Sequence, residues 1–203
     1  MDIKQHILKE SDQLFCRYGI KSVTMDDIAK HLGMSKKTIY QHFQDKDELV
    51  YILIKNKMEQ QTCSMDDTAA NAENAVHEVF LAVTQMEVML SNMNPMLFYD
   101  LQKYHPEAWQ VFRSFREKNL YQTILNNIDR GIREGYYRET VNRELIAAMR
   151  VEQIDMVLSP LTFAAGKYSM LQVMAVHTEH FVYGVCNLRG HRLINSYKNI
   201  NEQ

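Results

Sequence analysis

Apolar residues recur at three- and four-residue spacing along nearly the whole chain, and no alternating run lasts more than a few residues. That periodicity predicts an all-α fold. Over residues 2–18, Ile3, Ile7, Leu8, Leu14, Phe15 and Tyr18 make one stripe, and Gly19 closes it. Two short stripes follow: Ile28, Ala29 and Leu32 within Met25 to Leu32, then Ile39 and Phe43 within Lys36 to Phe43. A further helix is expected from Asp45 to about Gln61, with Leu49, Ile52 and Leu53 inward. The small, polar run Thr62 to Asn71 reads as a boundary. Beyond it the pattern predicts helices over about Ala69–Ser91, from Pro95, from Pro106 to about Glu134, from Asn142 to about Ser159, from Ser169 to about Leu188, and a short tail over His191–Lys198. Proline suits a first helical position because the N–H it lacks has no helical partner there, and Pro160 reads as a break. The division expected is a head over 1–46, a linking helix over 47–64 and a helical bundle over 65–203.

The turn residues sharpen the head. Thr24 with Asp27, and Asp45 with Glu48, have capping-box spacing, and Ser35 is placed to cap the helix after it. Gly33 stands where the chain must enter a left-handed turn. Two short helices around one glycine turn, with a small Ala29 where they meet, form a helix-turn-helix. The outward face of its second helix is Lys36, Lys37, Thr38, Tyr40, Gln41 and His42, with no acid from 36 to 42. Such a helix can enter a DNA major groove. There Lys and Thr hold phosphates, while Lys and Gln read base edges.

Charge adds only permission. The net charge of the chain is −2, while residues 21–46 hold five Lys against three Asp. DNA binding must therefore be local. The three cysteines, Cys16, Cys63 and Cys186, lie far apart and suggest neither a zinc site nor a disulfide framework. The N-terminus lacks a signal-like apolar run, and no 18-residue apolar stretch is present, so a cytoplasmic location with no membrane partner is expected. No nucleophile motif, glycine-rich phosphate loop or HExxH occurs, so no catalytic residue, cofactor or metal is assigned.

Thirteen methionines are many for this length. Met89, Met93, Phe98, Tyr99, Tyr104, Phe112 and Phe115, with Gln122, Met149 and Gln153 as further candidates, form a candidate adaptable pocket. Gln85 and Asn126 are other polar candidates, and the ligand expected is apolar or amphipathic. The last two long helices are the expected dimer seam, through Met156, Leu171, Met174, His177, Phe181, Gly184 and Val185. His177 and His180 share a helix face without a clear third ligand, which favours an interface or surface role over a metal.

The order Thr24, Ile28-Ala29, Gly33, Ser35, Thr38, Tyr40, His42-Phe43, Lys46 and Leu49 resembles the TetR family of bacterial transcriptional regulators. The resemblance covers about residues 5–55; Lys37 departs from it, since many members carry a small residue there. It implies a homodimer on a pseudo-palindromic operator, usually repressing, and a C-terminal pocket whose small-molecule effector alters the spacing of two heads. By motif position it implies phosphate or sugar contacts from Thr24, Ser35, Lys36, Thr38, Tyr40, His42 and Lys46. Lys37 and Gln41 are the candidates for base edges. The alternative is a constitutive or activating DNA-binding regulator without an effector.

Overall fold

Polar side chains fix where most of the helices begin. The computed structural model describes residues 2–91, 93–159 and 167–199. Its elements are α1 (Ile3–Tyr18), α2 (Met25–His31), α3 (Lys36–Tyr40), α4 (Lys46–Asn71), α5 (Ala75–Ser91), α6 (Leu97–Tyr104), α7 (Pro106–Phe115), a π turn (Arg116–Leu120), α8 (Tyr121–Arg133), α9 (Arg143–Leu158), α10 (Met170–Val185) and α11 (Leu188–Tyr197). Asn142 caps α9 by accepting from Leu145 N–H, and Ser169 with Gln172 forms a reciprocal box at α10. The described residues contain no strand, only an isolated antiparallel bridge between Tyr137 and Cys186. The break expected at Pro160 lies outside the described residues.

Several expected bounds move. The run Thr62–Asn71 is no boundary: α4 continues through it to Asn71. Its hydroxyls turn back onto the helix, Thr62 donating to Met58 O and the buried Thr68 to Ser64 O. Ala69 is half-buried, and Gln85 of α5 donates to Thr68. The end of α4 is held from a distance, because the Arg130 guanidinium donates to Ala69 O and Ala72 O at 2.8 Å each. A cation on the last carbonyls complements the helix dipole. Accordingly α5 starts at Ala75 rather than Ala69, with Glu134 accepting from Ala75 N–H. Pro95 precedes α6 without opening it, and α10 ends at Val185, three residues early. The long helix expected from Pro106 is present but contains the π turn.

The core runs from head to bundle without interruption. Ile7, Phe15, Ile28, Ile39, Phe43 and Leu49 interlock in the head, and the same cluster continues through Leu53, Leu101, Phe112 and Ile154. Polar contacts reinforce that junction. Asp100 of α6, buried, accepts from Lys21 N–H at 2.8 Å, and Asn94 N–H donates to Cys16 O at 2.6 Å. His105, buried, meets Asp47 at 2.5 Å. A second, smaller cluster forms at the far end around Tyr137, Val182, Val185 and Ile194.

Candidate nucleic-acid interface

Each end of α2 is locked by local chemistry. The Thr24 hydroxyl accepts from Asp27 N–H at 3.2 Å, and the Asp27 carboxylate accepts from Thr24 N–H at 2.9 Å. The Thr24 hydroxyl also donates to that carboxylate, and these bonds hold Asp27 below the usual carboxylate range. At the other end Gly33 takes φ +63°, while Met34 N–H reaches Ala29 O and Gly33 N–H reaches Lys30 O. This is a Schellman closure. Ser35 then accepts from Thr38 N–H at 3.1 Å, starting α3.

The regular part of α3 ends at Tyr40 rather than at the expected Phe43. The chain coils on, with His42 and Phe43 N–H both donating to Ile39 O. Ile39 and Phe43 are fully buried against the other head helices, so the opposite face is presented outward. That face carries Lys36, Lys37, Tyr40 and Gln41 exposed, with Thr38 and His42 half-buried. Their ion pairing differs. Lys36 pairs with Asp26 at 2.9 Å, both being half exposed, a pair worth little in stability. Lys37 makes no ion pair among the described residues. Ser35 and Thr38 hydroxyls sit 2.8 Å apart at the helix start. Lys46 lies differently: its ammonium is half-buried, donates to Ile20 O at 2.5 Å, and stands 5.8 Å from the Phe15 ring. Burial pulls its pKa down, ahead of the raising effect of Asp100. No local pattern signals this, since its partner is the Ile20 carbonyl in the turn after α1.

The residues expected to line one pocket are dispersed. Phe98 and Trp109 pack on Phe112 inside the core at 5.0 and 5.3 Å between centroids, and Phe115 is buried. Met93 packs against the same core. Tyr99 and Tyr104 flank Lys103 on the outside, Gln122 is exposed on Asn126, and Met89 and Met149 are exposed. Gln153 is half-buried with Oε1 unpaired. None of these ten lines the cavity of about 920 Å³ beside Met65, Asp66, Asn126, Arg130, Arg133 and Arg143. Nor do they line a smaller one of about 150 Å³ between α5 and α10. Of the seven seam candidates, Met174 and Val185 are corrected to interior residues, each 2% exposed. Leu171, His177 and Phe181 are half-buried, whereas Met156 and Gly184 are exposed. His177 and His180 gain no third ligating residue among the described residues.

Sequence reasoning missed Arg150. This residue is 7% exposed on the inward face of α9. Its signal was readable: an arginine aligned with Ala147, Val151 and Ile154 on an apolar stripe.

Residues 7–51 match the family model of bacterial regulatory proteins, tetR family. Among curated proteins the chain is similar to the HTH-type transcriptional regulator YvaF of Bacillus subtilis (strain 168), 27% identical over 77% of this chain and 81% of that one. It is also similar to YhgD of the same organism, described likewise, at 25% identity over 66% and 72%. Solved structures share the fold. A TetR-family regulator from Agrobacterium tumefaciens superposes with TM-score 0.74 at 17% identity, covering 91% of this chain and 97% of that one. FadR from Bacillus subtilis in complex with stearoyl-CoA gives 0.68 at 21%, covering 89% and 98%. A regulator from Saccharomonospora viridis in complex with choline gives 0.73 at 18%, covering 91% and 97%. No helix among the described residues is long and apolar enough to cross a membrane.

Proposed function

We propose that this chain, whose residues 7–51 match the tetR family of bacterial regulatory proteins, is a DNA-binding transcriptional regulator of that family, a repressor that binds a pseudo-palindromic operator as a homodimer and releases it when a small molecule occupies the C-terminal bundle. The observation that carries this reading is the rigid presentation of α3, capped at Ser35 and anchored by Ile39 and Phe43, with Lys37 and Gln41 outward. Lys37 and Gln41 read base edges. Thr24, Ser35, Lys36, Thr38, Tyr40 and His42 position the head on phosphates and sugars. The division into head, link and bundle follows, with the link extended to the full length of α4.

Dimerisation is supported by the outer faces of α9 and α10. Leu145, Met149 and Met156 are 55%, 49% and 40% exposed at one-turn and two-turn spacing, and Val176 is 54% exposed. Apolar stripes on two adjacent helices suit an isologous contact. Gly184 fits there: a Cβ on it would meet nothing within 4 Å in the subunit. Two heads then need half-sites about one helical turn apart, or a multiple. Relief by an effector is supported by the ligands solved with the two similar regulators, choline and stearoyl-CoA.

Footprinting on the DNA upstream of the gene, with and without host extract, tests the reading. A two-fold protected site lost on adding extract is expected; a protected site that extract never weakens favours the constitutive alternative. Lys37→Ala should flatten discrimination among operator variants by about 1–3 kcal/mol at one position per half-site. Unchanged relative affinities would remove Lys37 from base reading.

A further inference from the structure

Buried cations in folded proteins are paired, because an isolated charge removed from water is strongly unfavourable. Arg150 departs from that rule. It is 7% exposed, and no carboxylate pairs with it among the described residues. Nη2 donates to the Thr178 hydroxyl at 2.6 Å, and the guanidinium carbon lies 5.0 Å from the Phe181 ring centroid. Nη1 has no hydrogen-bond partner among the described residues. Burial alone pushes its pKa down to about 10, with no neighbouring charge opposing it. Its neighbour His177 offers no negative charge either: burial first, then Arg150 and His180, hold that imidazole below its ordinary range, which favours the neutral form. Gln153, three residues along α9, leaves a second buried orphan, Oε1. Buried polar groups without partners call for a missing ligand or water.

Arg150 does not itself line a cavity, but Thr178, whose hydroxyl it bonds, does. This is the cavity of about 150 Å³ whose walls are otherwise mainly apolar, including Val79, Phe80, Val83 and Val182. The charged residues of that cavity, Glu179 and Lys198, pair with each other at 2.6 Å. A cavity of this size holds about one benzene ring.

We propose that Arg150 is the anion anchor of the effector site, and that the effector is a small amphipathic monocarboxylate whose carboxylate meets the guanidinium beside Thr178 while its apolar body fills the α5–α10 cavity. This rests on the effector reading above and gives that ligand a charge and a size. The same guanidinium disfavours a quaternary ammonium in this cavity. An anion here would supply the acceptor that Nη1 lacks, and charge-assisted bonds to guanidinium are among the stronger ones.

The test is calorimetric titration and thermal shift of the full chain with benzoate and hexanoate, against benzamide and hexanamide as neutral matches. The carboxylates should bind with Kd below about 1 mM and raise Tm saturably, and the amides should do neither. Arg150→Met should weaken carboxylate binding at least tenfold, about 1.4 kcal/mol, while the unliganded variant melts no lower than wild type. Arg150→Lys and Thr178→Val, expected to lose part of the affinity, provide the readout if Arg150→Met does not fold. Amides that bind as well as carboxylates, carboxylates that do not bind, or an Arg150→Met protein binding benzoate within twofold of wild type would each overturn the proposal. Operator affinity, measured in parallel, separates the two ideas. Carboxylate binding through Arg150 without DNA release refutes the effector reading alone. DNA release by a compound of another class, with no carboxylate binding, refutes this inference alone.

Discussion

Gly33→Ala isolates the role of one backbone torsion. Gly33 holds φ at +63°, and a Cβ built there meets nothing within 4 Å. The substitution therefore adds no clash, and its whole effect is conformational. An L-residue in the left-handed region costs about 1–2 kcal/mol relative to its preferred basin. Alanine also narrows the unfolded ensemble, which offsets less than that cost where φ is positive. The net expectation is a loss of about 1 kcal/mol, or roughly 2–4 °C in Tm for a chain this long. The Schellman bonds from Met34 to Ala29 and from Gly33 to Lys30 can persist, since both use main-chain atoms. Operator affinity at 25 °C should then stay within twofold, because the folded population is hardly changed. Gly33→Asn should cost less, as asparagine tolerates this region better. The assays are urea unfolding and fluorescence-anisotropy titration of operator DNA. Unchanged stability would show that the positive φ is not what the position demands. A loss above about 3 kcal/mol would reveal a steric conflict that the open space around Gly33 contradicts.

Other positions give sharper or opposite outcomes. A Cβ at Gly131 would stand 2.3 Å from the buried Tyr137 ring, so Gly131→Ala should destabilise by about 1–3 kcal/mol or more, read as a lower urea midpoint. Lys46→Met should lower the stability of the head yet leave the salt slope of operator binding unchanged, because the ammonium is already on Ile20 O. A slope reduced by about one would restore Lys46 as a phosphate contact. Asp155, beside Arg116, is raised from 3.8 to about 6, chiefly by burial. A folded pKa above the unfolded one means that protonation favours the fold. This contribution is present below about pH 4 and is lost as pH rises to about 6, by at most about 3 kcal/mol. The stability of Asp155→Asn relative to wild type should therefore improve across that window in chemical denaturation, and a flat or falling difference would contradict the burial argument.

The head was legible in the sequence because its signals are local. Thr24–Asp27, Gly33, Ser35 and Asp45 each act within three or four residues, and each makes the expected bond or torsion. One detail shifted, with Glu48 accepting from Gln44 N–H rather than from the cap itself. The bundle was less legible because its determinants act at long range. The end of α4 depends on Arg130, 58 residues beyond Ala72. Whether Met174 lies inside the subunit or between subunits cannot be told from periodicity, since both surfaces are apolar. The polar cavity beside Arg130 and the orphan guanidinium of Arg150 are products of packing, and an expectation of a methionine-aromatic pocket looked past both.

The unbroken run of α4 has a geometric consequence. Its 26 residues span about 39 Å at 1.5 Å per residue. Pivoted at its far end, a helix of that length converts a rotation of about 5° into a displacement of about 3 Å at Lys46, beside the end of α3. The far end is the part that Arg130 grips and that Met65, Asp66 and Ala69 expose to the larger cavity. A change of volume or charge there acts on the long arm of the helix. A rotation of that size imposed at residues 65–69 would reach the head as ångström-scale translation, magnified by length alone.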